Sequence, residues 1–314
     1  MMQILKNTSD RLTGVEFLFR FFSLLMLMII GNLLFLGISG VFANLIWDYN
    51  FFTHPQMLSN TSDEKMIEII RFFQGMQSVG MFLVPGLVWI RIFRGSIRQN
   101  LFSRNTIRNE VVIALFLVIV VAMPMINGLA ALNEALQLPE AWAHIENSFR
   151  SAESRANEFM IAILSTDSIS VLLVNIFVVA VLPAVSEEVL FRGVLQNDLE
   201  RKFGNPIIAV IITALIFSAF HYQFFTFLPR FVLGVMLGLT YVWSRNLLVP
   251  VVLHFFNNGL SVLAWYYFKP ETINNDLDTI GTFGNMWPLA IVSSMAVLAI
   301  FYWLHHFFMT QPRS

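Results

Sequence analysis

Ile169 to Val185 form a run without one charged side chain, and comparable apolar stretches recur along the chain. In hydrocarbon every backbone N–H and C=O must find a partner within the protein, which leaves only helices and closed barrels. Barrel strands would be short and would alternate apolar with polar residues, whereas these runs are long and continuous. The chain is 57% hydrophobic and 12% charged, with 32 phenylalanines among 314 residues, too little charge to cover a water-soluble domain. The expected fold class is therefore all-α: a polytopic membrane helix bundle.

At about 20 residues per crossing, about eight transmembrane helices are expected, near 19–46, 66–90, 110–132, 167–190, 206–223, 228–245, 247–268 and 286–308. Pro124, Pro206 and Pro229 interrupt or begin the third, fifth and sixth. Lys6, Arg11 and Arg20 precede an apolar run from Phe21 to Trp47 that is too long for the apolar core of a signal peptide, so it reads as a retained first helix. With the N-terminus in the cytoplasm, thirteen of nineteen basic residues fall on the inner side, led by the Arg91–Arg108 cluster. Basic residues concentrate in cytoplasmic loops, so both termini are expected to be cytoplasmic. Residues 1–166 are expected to form the N-terminal helices, 167–268 the core helices, and 269–314 a last span and tail. Short loops without a sorting signal suit a multi-pass cell-membrane protein, most simply in a bacterial plasma membrane.

Two outer loops have content. Thr61-Ser62-Asp63-Glu64 offers a capping box for span two. Trp142, Ile145, Phe149, Ala152, Ala156, Phe159 and Ile163 recur at steps of three and four, which predicts an amphipathic helix near 140–163 that covers the bundle. Asn60-Thr61-Ser62 fits a glycosylation acceptor, relevant only in a eukaryotic secretory setting, and the repeat of Asn-Thr-Ser-Asp at 7–10 and 60–63 reads as chance plus helix-capping preference. A net charge of −1 gives no reason to expect a nucleic-acid partner, and the absence of cysteine removes disulfides and thiolate chemistry.

The uncharged run ends in Ser186-Glu187-Glu188-Val189-Leu190-Phe191-Arg192. Ionisable groups at membrane depth are costly, and they pair or serve function. Glu188 and Arg192 are four apart with the acid first, the favoured order for an intrahelical ion pair. Glu187, turned about 100° away, needs a partner from another helix. Phe217 and His221 share one face of span five, and His254 and Asn258 share one face of span seven; Asn257 points elsewhere, toward a neighbouring helix. Gly234, Gly238 and Gly259 would let backbones approach closely. Each element alone has a plain structural explanation, such as charge neutralisation at a helix end or a hydrogen bond in the core.

Together, three helices each offer a polar face, and the groups satisfy one another most cheaply if they converge. Such a cluster supports two mechanisms. In one, Glu187 and His221 activate a water while His254 and Asn258 donate to an oxyanion. In the other, the same side chains bind a divalent metal, although no His-Glu-x-x-His motif is present. A non-catalytic membrane protein that binds a partner or confers immunity is a third reading. At 1.5 Å per residue, His254 and Asn258 lie about 10 and 16 Å into span seven, Glu187 about 21 Å from Arg201, and His221 about 23 Å from Pro206. That mismatch calls for tilt or a shifted boundary of span five.

Glu187-Glu188-x-x-x-Arg192, Phe217-x-x-x-His221 and His254-x-x-x-Asn258, in that order, resemble the CPBP family of CAAX proteases and bacteriocin-processing enzymes, which includes the Ras-converting CAAX endopeptidases. The resemblance covers roughly residues 170–265. It implies a metal-independent, cofactor-free intramembrane endopeptidase that works through a glutamate-activated water. By the same resemblance Glu187 is the base, His221 helps to hold the water, His254 and Asn258 form the oxyanion site, and Glu188, Arg192 and Phe217 support them. The implied partners are membrane lipid and a membrane-associated or lipidated peptide substrate; a prenylated CAAX substrate does not follow from the motifs.

Overall fold

The computed structural model of the chain describes residues 11–55, 63–101, 107–272, 279–282 and 286–310. Nine principal helices follow one another among the described residues: α1 (Gly14–Trp47), α2 (Glu64–Phe93), α3 (Asn109–Glu134), α4 (Ala143–Leu164), α5 (Ile169–Phe203), α6 (Pro206–Ala219), α7 (Phe227–Ser244), α8 (Leu248–Thr272) and α9 (Trp287–Thr310). Seven of them, all but α4 and α6, are long and apolar enough to cross a membrane. Large apolar side chains such as Phe19, Phe22, Ile29, Leu33, Leu173 and Leu298 point outward, as lipid contact requires and water would not favour. The molecule is an all-α, multi-pass membrane bundle.

Helix ends follow local chemistry. Thr13 and Glu16 close a capping box at the start of α1, and Asp63 caps α2 by accepting the Lys65 N–H at 2.9 Å. The Thr61-Ser62 part of the expected box, the Asn60–Ser62 acceptor and the Asn7–Asp10 repeat lie outside the described residues. Gly204 ends α5 in the left-handed region (φ 65°). Asn205 then caps the Ile207 and Ile208 N–H groups, and Pro206 begins α6. The fifth expected span is shorter than 206–223. It is α6, 14 residues ending at Ala219, because the chain turns and Tyr222 takes a positive φ of 54°. His221 thus lies beyond the helix, which removes the premise of its calculated depth.

Prolines shape the long helices. Pro183 has no N–H for the Val179 carbonyl four residues back, and its ring crowds that carbonyl. The chain responds with a wide π turn over Ile176–Val181. The same happens at Val79–Leu83 ahead of Pro85, and a third π segment, Val189–Gln196, follows the acidic pair. In α3, the break at Pro124 is bridged from α9: Ser293 donates to the Val121 carbonyl at 2.5 Å and accepts the Met125 N–H at 3.2 Å.

Close approaches hold the bundle together. A Cβ on Gly31 of α1 would lie 2.2 Å from the Gly80 carbonyl of α2, and one on Gly234 of α7 would lie 3.0 Å from the Ala214 Cβ of α6. At Gly238 it would meet Val210 at 2.9 Å, whereas at Gly259 it would make only ordinary contact, 3.7 Å from Phe255. Gly259 therefore does not mark the close crossing expected of it. Helix α4, preceded by a short turn at Glu140–Trp142, matches the expected amphipathic segment and packs against α2 and α8.

Candidate active site

Glu188 and Arg192 lie one turn apart on α5 with both side chains 0% exposed. Arg192 Nη1 donates to Glu188 Oε1 at 2.8 Å, the intrahelical pair their spacing favours. The same oxygen accepts the Nδ1–H of His254 on α8 at 2.9 Å. Arg192 Nη2 donates to the Gly234 carbonyl at 2.9 Å, so one buried ion pair joins α5, α7 and α8. One turn on, Gln196 donates to the Gly238 carbonyl at 3.1 Å. Residues 188, 192 and 196 thus form a polar stripe that runs along the glycine-bearing face of α7.

Phe217 is the hub of the aromatic packing. The Arg192 guanidinium carbon lies 4.8 Å from its ring centre. The His221 and His254 rings meet it edge-on at 5.0 and 6.0 Å. His221 has its Nδ1 2.8 Å from the Phe217 carbonyl. A carbonyl can only accept, so this nitrogen carries the proton; in the neutral ring Nε2 is then an acceptor. The same logic applies to His254, whose Nδ1–H is spent on a carboxylate.

Glu187 differs sharply from its neighbour. Its Oε2 is buried and has no hydrogen-bond partner among the described residues. The titratable groups that act on it are His254, Glu188, Arg192 and Arg230, drawn from α5, α7 and α8. The two adjacent acids therefore differ in how they are held. Glu188 is tied through Oε1 to Arg192 and His254, with its Oε2 also buried and unpartnered, whereas no hydrogen bond holds the Glu187 carboxylate among the described residues.

Asn258 has a more specific attachment than its shared face with His254 suggested. Its Nδ2 donates to the Val179 carbonyl at 3.1 Å, the group that Pro183 cannot serve. That point is about 12 Å along α5 from Glu187 at 1.5 Å per residue. Asn258 Oδ1 accepts from Asn257 at 3.0 Å, so Asn257 serves its own neighbour and not, as expected, another helix. The two asparagines are adjacent, and a single bond from one to the other links them. His254 is brought to the acidic pair; Asn258 is tied to the π turn of α5.

Sequence reasoning passed over Arg230, on the first turn of α7. It also passed over Glu153 on α4 and the Ser78–Ser186 contact, whose hydroxyls lie 2.6 Å apart between α2 and α5. The signal for Arg230 was present: a cation within an otherwise apolar helix is rarely idle. Among the described residues, no three His, Asp or Glu side chains are grouped as a divalent metal site requires.

Residues 169–260 match the family model described as type II CAAX prenyl endopeptidase Rce1-like. Over 104 residues the chain is 36% identical to the membrane-embedded CAAX protease MroQ of Staphylococcus aureus, a stretch that covers 31% of this chain and 41% of that protein. It is 29% identical over 112 residues to an uncharacterized 24.3 kDa protein of Escherichia coli (34% of this chain, 52% of the relative). It is also 35% identical over 85 residues to the uncharacterized protein YpbD of Bacillus subtilis (26% and 40%). The chain spans about half or less of the length of these relatives. No solved structure matches it. Residues 169–260, which hold the buried Glu188–Arg192–His254 cluster and the carboxylate of Glu187, are thus similar to CAAX proteases.

Proposed function

We propose that the chain is an intramembrane endopeptidase in which Glu187 is the general base. The carboxylate takes a proton from a water, and the water oxygen attacks the scissile carbonyl carbon. The carbonyl oxygen becomes an oxyanion. Collapse of the tetrahedral intermediate breaks the C–N bond, and Glu187 returns its proton to the leaving amine. His221, with Nδ1–H fixed on the Phe217 carbonyl, offers Nε2 to accept the second water proton as a hydrogen bond. Glu188 orients His254 from behind, and Arg192 balances the charge of Glu188.

The observation that carries this reading is the asymmetry of the acidic pair: Glu188 is held through Oε1 by Arg192 and His254, while no hydrogen bond holds the Glu187 carboxylate among the described residues. A base needs a carboxylate not already committed to an ion pair, a condition that Glu187 meets and Glu188, bonded to Arg192, does not. The proposed substrate class is a membrane-associated or lipidated peptide, in keeping with a site on the membrane helices α5 and α8. The test uses purified protein in lipid nanodiscs with a panel of farnesylated, acylated and unmodified transmembrane peptides, with chelator present. Mass spectrometry should detect paired products that sum to one peptide plus water from at least one member. No cleavage across the panel, or cleavage only after metal is restored, would count against the proposal.

A further inference from the structure

Glu153 is 7% exposed, on a helix whose covering role asks only for apolar residues. A buried carboxylate is costly unless hydrogen bonds repay it. Its Oε2 accepts the Phe225 N–H at 3.0 Å and its Oε1 accepts the Thr226 hydroxyl at 2.9 Å. Thr226 in turn accepts from Arg230 Nη1, and Arg230 Nη2 donates to Gln223. Asn133, at the end of α3, donates to the Phe224 carbonyl at 2.8 Å and accepts the Leu228 N–H at 2.7 Å. Phe149 of α4 stacks on Phe224 at 5.5 Å, and the Arg150 guanidinium lies 4.0 Å over the Phe225 ring. Helices outside residues 169–260 thus hold the loop that follows His221. Arg230, fixed by that loop through neutral groups, is close enough for its charge to act on Glu187, His221 and Glu153.

We propose that Glu153 and Arg230 are positioning residues for the hydrolysis proposed above: the carboxylate on α4 locks the loop that carries His221, and the guanidinium which that loop fixes orients Glu187. The amphipathic helix is then part of the active-site framework as well as its cover. The inference rests on the endopeptidase reading, so its test includes a readout that does not need turnover.

Full-length wild type, Glu153→Ala, Thr226→Val, Arg230→Gln and Arg230→Lys are compared in nanodiscs by amide hydrogen exchange across residues 221–228 and by kcat and KM on a cleaved peptide. Glu153→Ala should speed exchange at 224–226 at least tenfold. It should also lower kcat about ten- to hundredfold, with KM within about twofold, since a displacement near 1 Å has that effect on a reacting group. Arg230→Gln should lower kcat similarly while the Glu153 and Asn133 bonds keep exchange at 224–226 within about threefold of wild type, and Arg230→Lys, which keeps the charge, should recover most of the lost kcat. Unchanged exchange or unchanged kcat in Glu153→Ala overturns the proposal. So does an Arg230→Lys enzyme as slow as Arg230→Gln, because side-chain charge would then not matter. If Glu153→Ala does not fold, Thr226→Val decides: it removes the hydroxyl that links Glu153 to Arg230, leaves the Glu153–Phe225 bond in place and should lower kcat at least fivefold, and wild-type kcat overturns the proposal. If wild type cleaves nothing, the endopeptidase reading fails by itself, and the exchange data still decide whether Glu153 locks the loop.

Discussion

Replacing Glu188 by leucine should cost far more stability than replacing Glu188 and Arg192 together. In Glu188→Leu, Arg192 stays 0% exposed and loses its carboxylate, which costs about 3–5 kcal/mol for a buried pair broken on one side. His254 Nδ1–H also loses its acceptor, at about 1–3 kcal/mol for an orphaned buried donor. The single variant should therefore lose about 4–8 kcal/mol, the sum of those two costs. In Glu188→Leu/Arg192→Met neither charge of the pair remains, and two apolar side chains fill similar volume. The deficit should fall to the histidine's share, about 1–3 kcal/mol. The double variant is then more stable than the single one by about 3–5 kcal/mol. Unfolding titrations in mixed micelles measure this difference, with cleavage followed in parallel. Peptide cleavage should stay low in both variants, since neither orients His254. A double variant no more stable than the single one, or a Glu188→Leu protein within about 1 kcal/mol of wild type, would refute the view of this cluster as a buried ion pair.

Asn258→Leu should lose about 1–3 kcal/mol by orphaning the Val179 carbonyl, and adding Pro183→Ala, which returns an N–H to that carbonyl, should recover much of it in the same titration. Gly31→Ala should destabilise by about 1–3 kcal/mol or more through overpacking, because its Cβ would lie 2.2 Å from the Gly80 carbonyl. Gly37→Ala, on the same helix with nothing within 4 Å, should instead be neutral or stabilising by about 0.5–1 kcal/mol; equal effects at the two positions would contradict the close α1–α2 crossing.

Much of this architecture was legible as pattern. Uncharged runs mark the spans, and the four-residue step from Glu188 to Arg192 marks their ion pair, because both are local along one helix. The link from Glu188 to His254 crosses 66 residues; the sequence offers the two polar groups but not the tertiary approach that joins them. The π turns are equally hidden, since Pro183 announces a broken hydrogen bond without saying which side chain repairs it. Asn258 does so from another helix, a duty that a shared face with His254 could not reveal. Span five was drawn too long because Phe220-His221-Tyr222 is apolar and aromatic enough to continue a helix, while the observed turn depends on contacts from α3 and α4. Glu153 stayed hidden for the same reason: on an amphipathic helix with several acids, only burial distinguishes it.

The account turns on the division of labour between two adjacent glutamates, and Glu187→Gln tests it most directly. The substitution keeps shape and replaces one carboxylate oxygen by an amide, so folding measured by exchange and unfolding should match wild type. Peptide cleavage in chelator should fall about a thousandfold or more, near the upper range for loss of a general base. A folded Glu187→Gln protein that cleaves within about threefold of wild type would contradict the assignment of Glu187 as the base.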